Sequence, residues 1–496
     1  MKFLSKYSFL LVSVILLLFE GFLIARGNWA GDFWEHSAVV RELSQHLAHP
    51  SNPIINSDLP HAFFSPYSVL VAVFCKLTHF DPVAGLGFFA YLNLILFLFA
   101  IYFFCKALFK ENANGIATLS LTFILLFWGA APFLWSGFYH IFVLNKILPY
   151  PSTFAFALSL ISIGWINSDN LNTKKIIGLS FIYTIVLITH PPTAIFLTVT
   201  LFTICFYRRI QIWKGAIIIG VGFLISLLWP YFNILDLLLD KNEDFANDSK
   251  RLYIGIKDSI HHYWPALFCI PAFLFIRKDR TILFLIITII ALKLIYSAGY
   301  AFHFYAVSRV VSYIMVLSYI LIAYLIFIFH KEKVSFFKPY VVVIALAFVT
   351  SLFMNAESFK ELSVQLKKKE KFEWSDYVVL PLNGVTENDL VLSDEYSNYF
   401  IPSFGGRVLA SHTPLYWLAD HHKRRDAVKE FFDPNSNDST RASILKTWQP
   451  DFIFIDTPRV HLKYSDIQFL KQKSISVSVF NRFYIMKVNK QSLSLP

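Results

Sequence analysis

The fold of this chain is decided near its start, where residues 10–36 read LLVSVILLLFEGFLIARGNWAGDFWEH. An apolar run, 10–23, is followed shortly afterwards by a group of ionisable side chains, Asp32, Glu35 and His36. No small-residue cleavage site follows the run, so we interpret it as an uncleaved first membrane helix rather than a signal peptide. The sequence therefore predicts a charged cluster directly after a membrane span.

The composition extends this interpretation to most of the chain. Of 496 residues, 56% are hydrophobic and 16% are charged, against about 25% charged in soluble proteins. A mean hydropathy of +0.54 excludes a soluble enzyme, a disordered chain and a fibrous repeat. The 53 Phe residues are typical of lipid-facing helices with aromatic belts. We assign the net charge of +11 to basic cytoplasmic loops and expect no nucleic-acid partner.

Apolar runs predict eleven membrane helices, although several are shorter than the ~20 residues that a span needs. They cover residues 10–23, 84–105, 115–134, 152–168, 176–190, 193–207, 215–235, 264–276, 281–297, 305–329 and 338–354. With the N-terminus in the cytoplasm, every inside loop is short and basic, as the positive-inside rule requires. We expect an integral protein of the bacterial inner (plasma) membrane, with an extracytoplasmic (periplasmic) tail.

The predicted domains are a transmembrane domain, 1–354, and an external soluble domain, 355–496. Within the first, residues 26–83 form the first external loop. The apolar segment 65–77 in that loop is too short for a span, and we interpret it as a helix in the interface or re-entering from outside.

The tail has the pattern of a small α/β domain. A charged helical stretch, 360–371, precedes short strand-like runs that alternate with polar helical segments. The strand-like runs are 390–392, 452–455, 477–479 and 484–488, and the helical segments are 424–432 and 441–448. The fold class is thus a polytopic α-helical membrane protein with a C-terminal extracytoplasmic α/β domain.

Helical spacing places Asp32, Glu35 and His36 on one face, because residues three and four apart are neighbours on a helix. A partly desolvated carboxylate at the membrane boundary is suited to act as a general base. An amphipathic helix with a solvated polar face explains the same pattern, and the residues alone leave both interpretations open.

The order of segments resembles the GT-C superfamily of polytopic glycosyltransferases, which includes the protein O-mannosyltransferases and the lipid A aminoarabinose transferases. The resemblance rests on a first helix, an Asp-containing helix ending in Arg41-Glu42-Leu43, and a Pro-containing apolar segment at Phe64-Ser65-Pro66. It implies transfer of a sugar from a polyprenyl-phosphate donor to an acceptor on the outer face. The acceptor class, whether glycan, lipid or protein, is left open, and membrane lipids are expected partners.

In that resemblance Asp32 matches the catalytic carboxylate. Glu35 and His36 are candidates for a second acidic or acceptor-side role, although many relatives have two adjacent acids where this chain has Phe33 and Trp34 between them. Relatives of the aminoarabinose group carry a Lys just before the proline, where this chain has Ser65.

A phosphate leaving group requires positive charge rather than a general acid. The basic residues near the external ends of two late spans are candidates for binding the donor phosphate, namely Lys293, His303 and Arg309. Four further residues are weaker site candidates, each with a structural explanation such as a proline turn, an aromatic belt or a glycine loop: His190, His261, His262 and Arg407.

The sequence assigns no metal ligands and no certain cofactor, and it leaves a divalent cation open because some GT-C enzymes use one. The four cysteines lie far apart in apolar segments, where they are expected to pack without binding metal: Cys75, Cys105, Cys205 and Cys269.

Three other functions fit part of the pattern. A lipid-linked saccharide transporter or flippase usually has internal repeats. An O-antigen-type polymerase or ligase depends on a long basic external loop, whereas residues 236–263 are rich in acids. A non-catalytic membrane scaffold also remains open.

The predicted topology places residue 393 outside the membrane. A Ser393→Cys variant should therefore react with an impermeant maleimide in intact spheroplasts. Protection of that cysteine in intact cells would overturn the predicted orientation.

Overall fold

The computed structural model describes residues 2–168, 171–239, 250–367, 373–413 and 415–493. The α-helices within these ranges are α1 Lys2–Ala25, α2 Phe33–Gln45, α3 Pro66–Thr78, α4 Pro82–Phe109, α5 Ala113–Leu126, α6 Leu144–Ile147, α7 Pro151–Ser168, α8 Thr173–Thr189, α9 Pro191–Arg208, α10 Ile212–Ser226, α11 Ile234–Leu239, α12 Ile256–Tyr263, α13 Arg280–Ala301, α14 Val310–Lys331, α15 Phe337–Met354, α16 Ala356–Lys367, α17 Val379–Leu382, α18 Ile401–Phe404, α19 His421–Phe432, α20 Asp438–Trp448, α21 Tyr464–Gln472 and α22 Lys490–Leu493. The strands are β1 Leu390–Leu392, β2 Arg407–Val408, β3 Phe452–Asp456, β4 Ser474–Phe480 and β5 Phe483–Val488.

The chain divides into two compact units. Unit 1 comprises Met1–Asn28 and Gly87–Lys369, and unit 2 comprises Trp29–Leu86 and Glu370–Pro496. The segment after the first apolar helix therefore packs with the C-terminal tail, which no local pattern predicted. The predicted boundary at residue 354 separates a membrane-spanning part from a soluble part, whereas the two units are defined by packing. The boundary at residue 354 stays a prediction.

Six helical stretches among the described residues are long and apolar enough to cross a membrane. They are Lys6–Ala25, Pro82–Leu126, Pro191–Arg208, Arg280–Ala301, Tyr305–Lys331 and Phe337–Met354. Shorter apolar helices occupy Pro66–Thr78, Pro151–Asn167 and Ile212–Ser226. Long apolar helices of this kind satisfy their own backbone hydrogen bonds, as a lipid environment requires. The count of eleven spans stays a prediction.

One predicted span has a different helical form. Residues Trp264–Phe275 form a 3-10 helix instead of an α-helix, with Pro265 near its start and Pro271 in its interior. Proline has no N–H to donate and its ring disfavours an α-helix interior. A run of 12 residues is long for a 3-10 helix, which rarely exceeds one turn.

Unit 2 is built on a five-stranded sheet with the order β2-β1-β3-β5-β4. Strand β1 pairs in parallel with β2 and β3, whereas β5 runs antiparallel to both β3 and β4. All four predicted strands are present, which confirms the small α/β arrangement of the tail. Strand β2 was not predicted, because two residues carry no alternating pattern. The charged helix predicted over 360–371 is α16, and residues 368–371 lie outside the described residues.

The core of the tail combines apolar side chains from the sheet and from its helices. Leu392, Ile453 and Met486 on the strands pack with Phe431 and Leu445 on α19 and α20. All five are fully buried. This alternation of strand and amphipathic helix is the arrangement that the tail sequence predicted.

Helix α2 is also part of unit 2, and every residue from Phe33 to Leu43 on it is buried. It packs against α3 and α18. The Ser403 hydroxyl donates to the Trp34 carbonyl at 2.8 Å, and the backbone N–H of Val408 donates to the Ile54 carbonyl at 2.7 Å. The segment 29–86 and the tail thus share one core.

Ser393 is fully buried, and its hydroxyl donates to the Asn398 side chain. A cysteine there would be shielded whichever side of the membrane it occupies. The topology is better tested at Ser439, which is exposed on α20. We expect Ser439→Cys to react with an impermeant maleimide in intact spheroplasts. The buried native cysteines Cys75, Cys105 and Cys205 should give little background.

Candidate functional site

Asp32 is the N-terminal cap residue of α2, and its carboxylate is partly exposed. Its backbone carbonyl accepts from the N–H of His36 at 2.9 Å. Gly31 precedes it with φ +64°, a conformation that admits a tight entry to the helix. The N-terminus of a helix favours negative charge, so this position suits a carboxylate.

Glu35 lies one turn further on and is 9% exposed. Its Oε1 lies 3.2 Å from His61 Nε2, and its Oε2 accepts a hydrogen bond from the Thr413 hydroxyl at 2.7 Å. Burial alone would raise the pKa of Glu35, but these contacts outweigh it and hold the pKa below the usual value. Glu35 is therefore a carboxylate with a partner on each oxygen.

His36 is buried beside Glu35, with its ring stacked on Phe63 at a centroid distance of 4.4 Å. Burial lowers the pKa of His36 to about 4, although the charge of Glu35 opposes the shift. His36 is accordingly neutral near pH 7.

Two aromatic side chains of the tail complete this cluster. Burial and the charges of Asp32 and Glu35 raise the pKa of Tyr399, so its phenol stays protonated. The exposed ring of His412 lies 4.4 Å from the Tyr399 ring, edge to face. Tyr399, His412, Thr413 and His61 were not predicted here, because only tertiary packing brings them to α2.

Arg407 has a structural environment. Its Nη2 lies 3.9 Å from Glu42 Oε2, and both side chains are buried. Gly406 before it has φ +81°, and a Cβ there would lie 2.7 Å from Val391. The buried Arg41 guanidinium also lies near Glu42, and burial lowers the pKa of Arg41 to about 10. Through its contact with Glu42, Arg407 therefore helps to hold α2 in unit 2.

In unit 1, Arg309 ends a short 3-10 helix, Tyr305–Arg309, that leads into α14. Its Nη1 donates to the Ser136 hydroxyl at 2.9 Å, and its guanidinium lies 5.5 Å from the centre of the Trp135 ring. The side chain is only partly buried. Arg309 is thus a cation held in one position, and its guanidinium has further N–H donors besides the one that binds Ser136.

Lys293 and His303 belong to a cluster of tyrosines at the other end of this 3-10 helix. The Lys293 ammonium lies 4.3 Å from the centre of the Tyr296 ring, and His303 Nδ1 lies 2.7 Å from the Tyr305 hydroxyl. Lys293 and His303 are both exposed. Tyr253 packs against the rings of Tyr296 and Tyr305. The three predicted phosphate-binding residues therefore occupy two neighbouring groups, one around Arg309 and one around the tyrosines.

His190 caps the N-terminus of α9, before Pro191. Its Nδ1 lies 2.7 Å from the Thr193 hydroxyl, which lies 2.5 Å from the hydroxyl of Tyr313 on α14. Tyr313 follows Arg309 by one helical turn, and the charge of Arg309 acts on it. His190 thus connects to the surroundings of Arg309 through two hydroxyl groups.

His261 and His262 fasten a loop through their backbones. Their carbonyls accept from the N–H groups of Ala130 and Gly129 at 3.1 Å each. His262 Nδ1 lies 2.9 Å from the Ala130 carbonyl oxygen. A Cβ at Gly129 would lie 2.1 Å from the His261 carbonyl oxygen, so this close approach requires glycine.

Across the described ranges, no group of three or more His, Cys, Asp or Glu side chains is arranged to hold a metal ion. Glu35 and His61, an acid–histidine pair in the same unit as Asp32, contact each other. The question of a divalent cation, which the sequence left open, stays open.

No family model and no curated protein matches this sequence. Solved structures do match the fold. ArnT from Cupriavidus metallidurans, bound to undecaprenyl phosphate, superimposes with a TM-score of 0.53 at 12% identity, over 99% of both chains. The Archaeoglobus fulgidus oligosaccharyltransferase in the apo form gives 0.54 at 11% identity, over 91% of this chain and 70% of that one. Both are GT-C glycosyltransferases.

The fold is GT-C-like. This confirms the resemblance drawn from the sequence, and with the six apolar helices it supports an integral membrane protein. A second structure of the oligosaccharyltransferase is a complex with Zn and sulfate, with a TM-score of 0.50 at 10% identity. At such identities the likeness concerns the fold alone.

We expect acid to destabilise unit 2 through His36. The pKa of His36 in the folded chain, about 4, lies below its ordinary value of 6.5. His36 therefore leaves the free energy of unfolding unchanged above pH 6.5 and lowers it as the pH falls from 6.5 towards 4. The reason is that the unfolded chain binds a proton in this range that the folded chain does not. The shift corresponds to about 3 kcal/mol of unfolding free energy. Thermal unfolding in detergent at pH 6.5 and pH 4 measures this loss.

Two variants isolate this effect. His36→Phe retains a ring against Phe63 and should unfold with a weaker pH dependence. His46→Phe changes an exposed histidine at the end of α2 and should retain the wild-type dependence. The same pH dependence in both variants and the wild type would refute the role of His36.

Proposed function

We propose that this protein is a GT-C-type membrane glycosyltransferase that moves a sugar from a polyprenyl-phosphate donor to an acceptor hydroxyl on the outer face of the membrane. The observation that carries the proposal is the arrangement around Asp32. Glu35 is buried, whereas Asp32 is partly exposed at the N-terminus of α2, and its charge acts on Tyr399, whose phenol stays protonated. The GT-C-like fold supports the same reaction class.

Asp32 acts as the general base in this mechanism. Its carboxylate accepts the proton of the acceptor hydroxyl as the hydroxyl oxygen forms a bond to the anomeric carbon. The bond from that carbon to the phosphate oxygen breaks, and its electron pair leaves with the polyprenyl phosphate. Direct displacement inverts the anomeric centre.

The neighbours of Asp32 orient the reactants. Tyr399 stays protonated, so its hydroxyl can donate a hydrogen bond to a sugar hydroxyl. Glu35 has a supporting role, because its contacts with His61 and Thr413 fix the first turn of α2. The adjoining tail segment that carries His412 is the part of unit 2 that we assign to the acceptor.

The departing phosphate requires positive charge, for which the sequence offers Arg309, Lys293 and His303. The leaving group needs no protonation, so preorganised cations are the main source of stabilisation. Arg309 is the principal candidate, since a guanidinium can bind two phosphate oxygens at once. Lys293 adds a positive charge and His303 adds an imidazole ring near the tyrosine cluster. Undecaprenyl phosphate, the lipid bound to ArnT, represents this donor class.

The orientation follows the charge of the loops, with a cytoplasmic N-terminus and an extracytoplasmic tail in the bacterial inner membrane. Acceptors of the glycan, lipid or protein class all present the hydroxyl or amide nucleophile that such a transfer uses. The proposal concerns hydroxyl acceptors, because a single carboxylate base is sufficient for them.

We expect Asp32→Asn to reduce sugar release from polyprenyl-phosphate sugars at least a hundredfold, because removal of a general base typically costs a factor of 10² to 10⁴. The measurement uses purified protein in detergent with a panel of donors. Asp58→Asn, an exposed acid of the same segment, should retain wild-type turnover.

Glu35→Gln separates the two acids. It should lower the melting temperature, because it removes a buried charge from its partners, and it should retain more turnover than Asp32→Asn. Equal activity of Asp32→Asn and wild type would refute Asp32 as the base.

We expect Arg309→Gln to weaken binding of undecaprenyl phosphate about tenfold or more, because a charge-assisted hydrogen bond is worth about 1.5–3 kcal/mol. Microscale thermophoresis in detergent measures the Kd. Arg277→Gln, an exposed arginine of the same unit, is the matched control and should bind normally. Equal affinity in the two variants would remove Arg309 from the donor site.

A further inference from the structure

A chain of hydrogen-bonding groups runs from His190 to the surroundings of Arg309. His190 Nδ1 and the Thr193 hydroxyl are 2.7 Å apart, and the hydroxyls of Thr193 and Tyr313 are 2.5 Å apart. Thr193 is fully buried and Tyr313 is 1% exposed. Two hydrogen-bond distances thus link three groups in series, two at the start of α9 and one on α14.

The members of this chain have little freedom to move. The N–H of Thr193 donates to the His190 carbonyl at 2.9 Å, which closes the first turn of α9. The Tyr313 ring stacks on Phe156 at 5.0 Å and packs against Phe196 at 4.9 Å. Because the heavy atoms are fixed, the main remaining freedom is the direction in which each hydroxyl proton points.

Each hydroxyl has one proton to donate, so the direction of the whole chain depends on His190. If His190 Nδ1 carries a proton, it donates to Thr193, Thr193 donates to Tyr313, and the Tyr313 proton is free for a further acceptor. If Nδ1 is bare, it accepts from Thr193, which accepts from Tyr313. The Tyr313 proton then points back along the chain.

The end of the chain lies in a cationic environment. Arg309 precedes Tyr313 by four residues, which places the two side chains on the same side of the helix, and its charge acts on the Tyr313 hydroxyl. An anion that contacts both Arg309 and the Tyr313 hydroxyl would accept a hydrogen bond from that hydroxyl in the first arrangement and would meet its lone pairs in the second. The two directions of the chain therefore differ in their affinity for an anion.

We propose that His190 is a positioning residue that, with a proton on Nδ1, directs the hydroxyl proton of Tyr313 through Thr193 towards a phosphate group held by Arg309. This inference rests on the proposed function and identifies further determinants of phosphate recognition in unit 1. His190 itself need not touch the ligand. The ligand chemistry is a phosphate ester, for which undecaprenyl phosphate is the probe.

Two amide substitutions test the geometry. The amide of asparagine occupies the place of Nδ1 and can donate to Thr193, whereas the longer glutamine places its amide near the position of Nε2. We expect His190→Asn to bind undecaprenyl phosphate within about twofold of the wild type, and His190→Gln to bind about tenfold more weakly, the effect of one hydrogen bond to an anion. Thr193→Val should resemble His190→Gln.

A matched pair of tyrosines separates positioning from stability. Tyr313→Phe removes the end of the chain, whereas Tyr319→Phe removes a buried hydroxyl on the same helix that donates to the Phe127 carbonyl. Both variants lose one buried hydrogen bond, but only Tyr313→Phe should weaken phosphate binding. Equal affinity of these two variants, or equal affinity of His190→Asn and His190→Gln, would overturn the proposal.

A double variant tests the connection to Arg309. With Arg309→Gln in place, His190→Gln should cause little further loss, because the two residues act on one ligand group. Fully additive losses would contradict a shared site. Competition by inorganic phosphate distinguishes recognition of the phosphate from recognition of the lipid chain, and failure of phosphate to compete even at high concentration would also contradict the assignment.

The same measurements distinguish this inference from the proposed function. In one outcome the wild-type protein binds undecaprenyl phosphate and transfers sugar, and the His190 and Tyr313 variants bind as well as the wild type. This outcome supports the glycosyltransferase and refutes the role of the hydroxyl chain. Wild-type protein that binds no undecaprenyl phosphate refutes both.

Discussion

The burial of a charged helix is the constraint on which unit 2 depends. Helix α2 is buried from Phe33 to Leu43 and carries Glu35, Arg41 and Glu42 within that range. Buried charges are costly unless they are paired and hydrogen-bonded. The partners are remote in sequence: Thr413 for Glu35, and Arg407 for Glu42. The helix is therefore stable in its place only when the tail has folded around it.

This constraint also leaves one acid different from the others. The interior acids of α2 are buried, whereas Asp32 is at the helix end and partly exposed, and its charge acts on a tyrosine that stays protonated. Functional sites commonly combine such a group with a perturbed neighbour. The same contacts that stabilise the helix thus fix the position of the carboxylate to which we assign the chemistry.

Unit 1 is different, because it is built on long apolar helices, and what matters there is where each helix begins and ends. Proline determines several of those ends. Pro191 follows His190 and starts α9, which places Thr193 in the first turn and within reach of Tyr313. In the 3-10 helix, Pro271 in the interior disfavours the α-helix that hydropathy alone suggests. Local sequence thus sets where these helices begin, and packing decides which hydroxyls meet.

The sequence by itself determined the six long apolar helical stretches of the described residues, four of the five strands of the tail and the position of Asp32 after the first helix. Hydrophobic runs, alternating patterns and a short motif are local signals, and local signals can be recognised in a sequence without knowing how the chain packs. Only the tertiary structure decided that residues 29–86 join the tail, that His61 and Thr413 engage Glu35, and that Tyr399 lies near Asp32. Those contacts join residues up to 378 positions apart, and no periodicity in the chain records which distant partner a buried charge will meet.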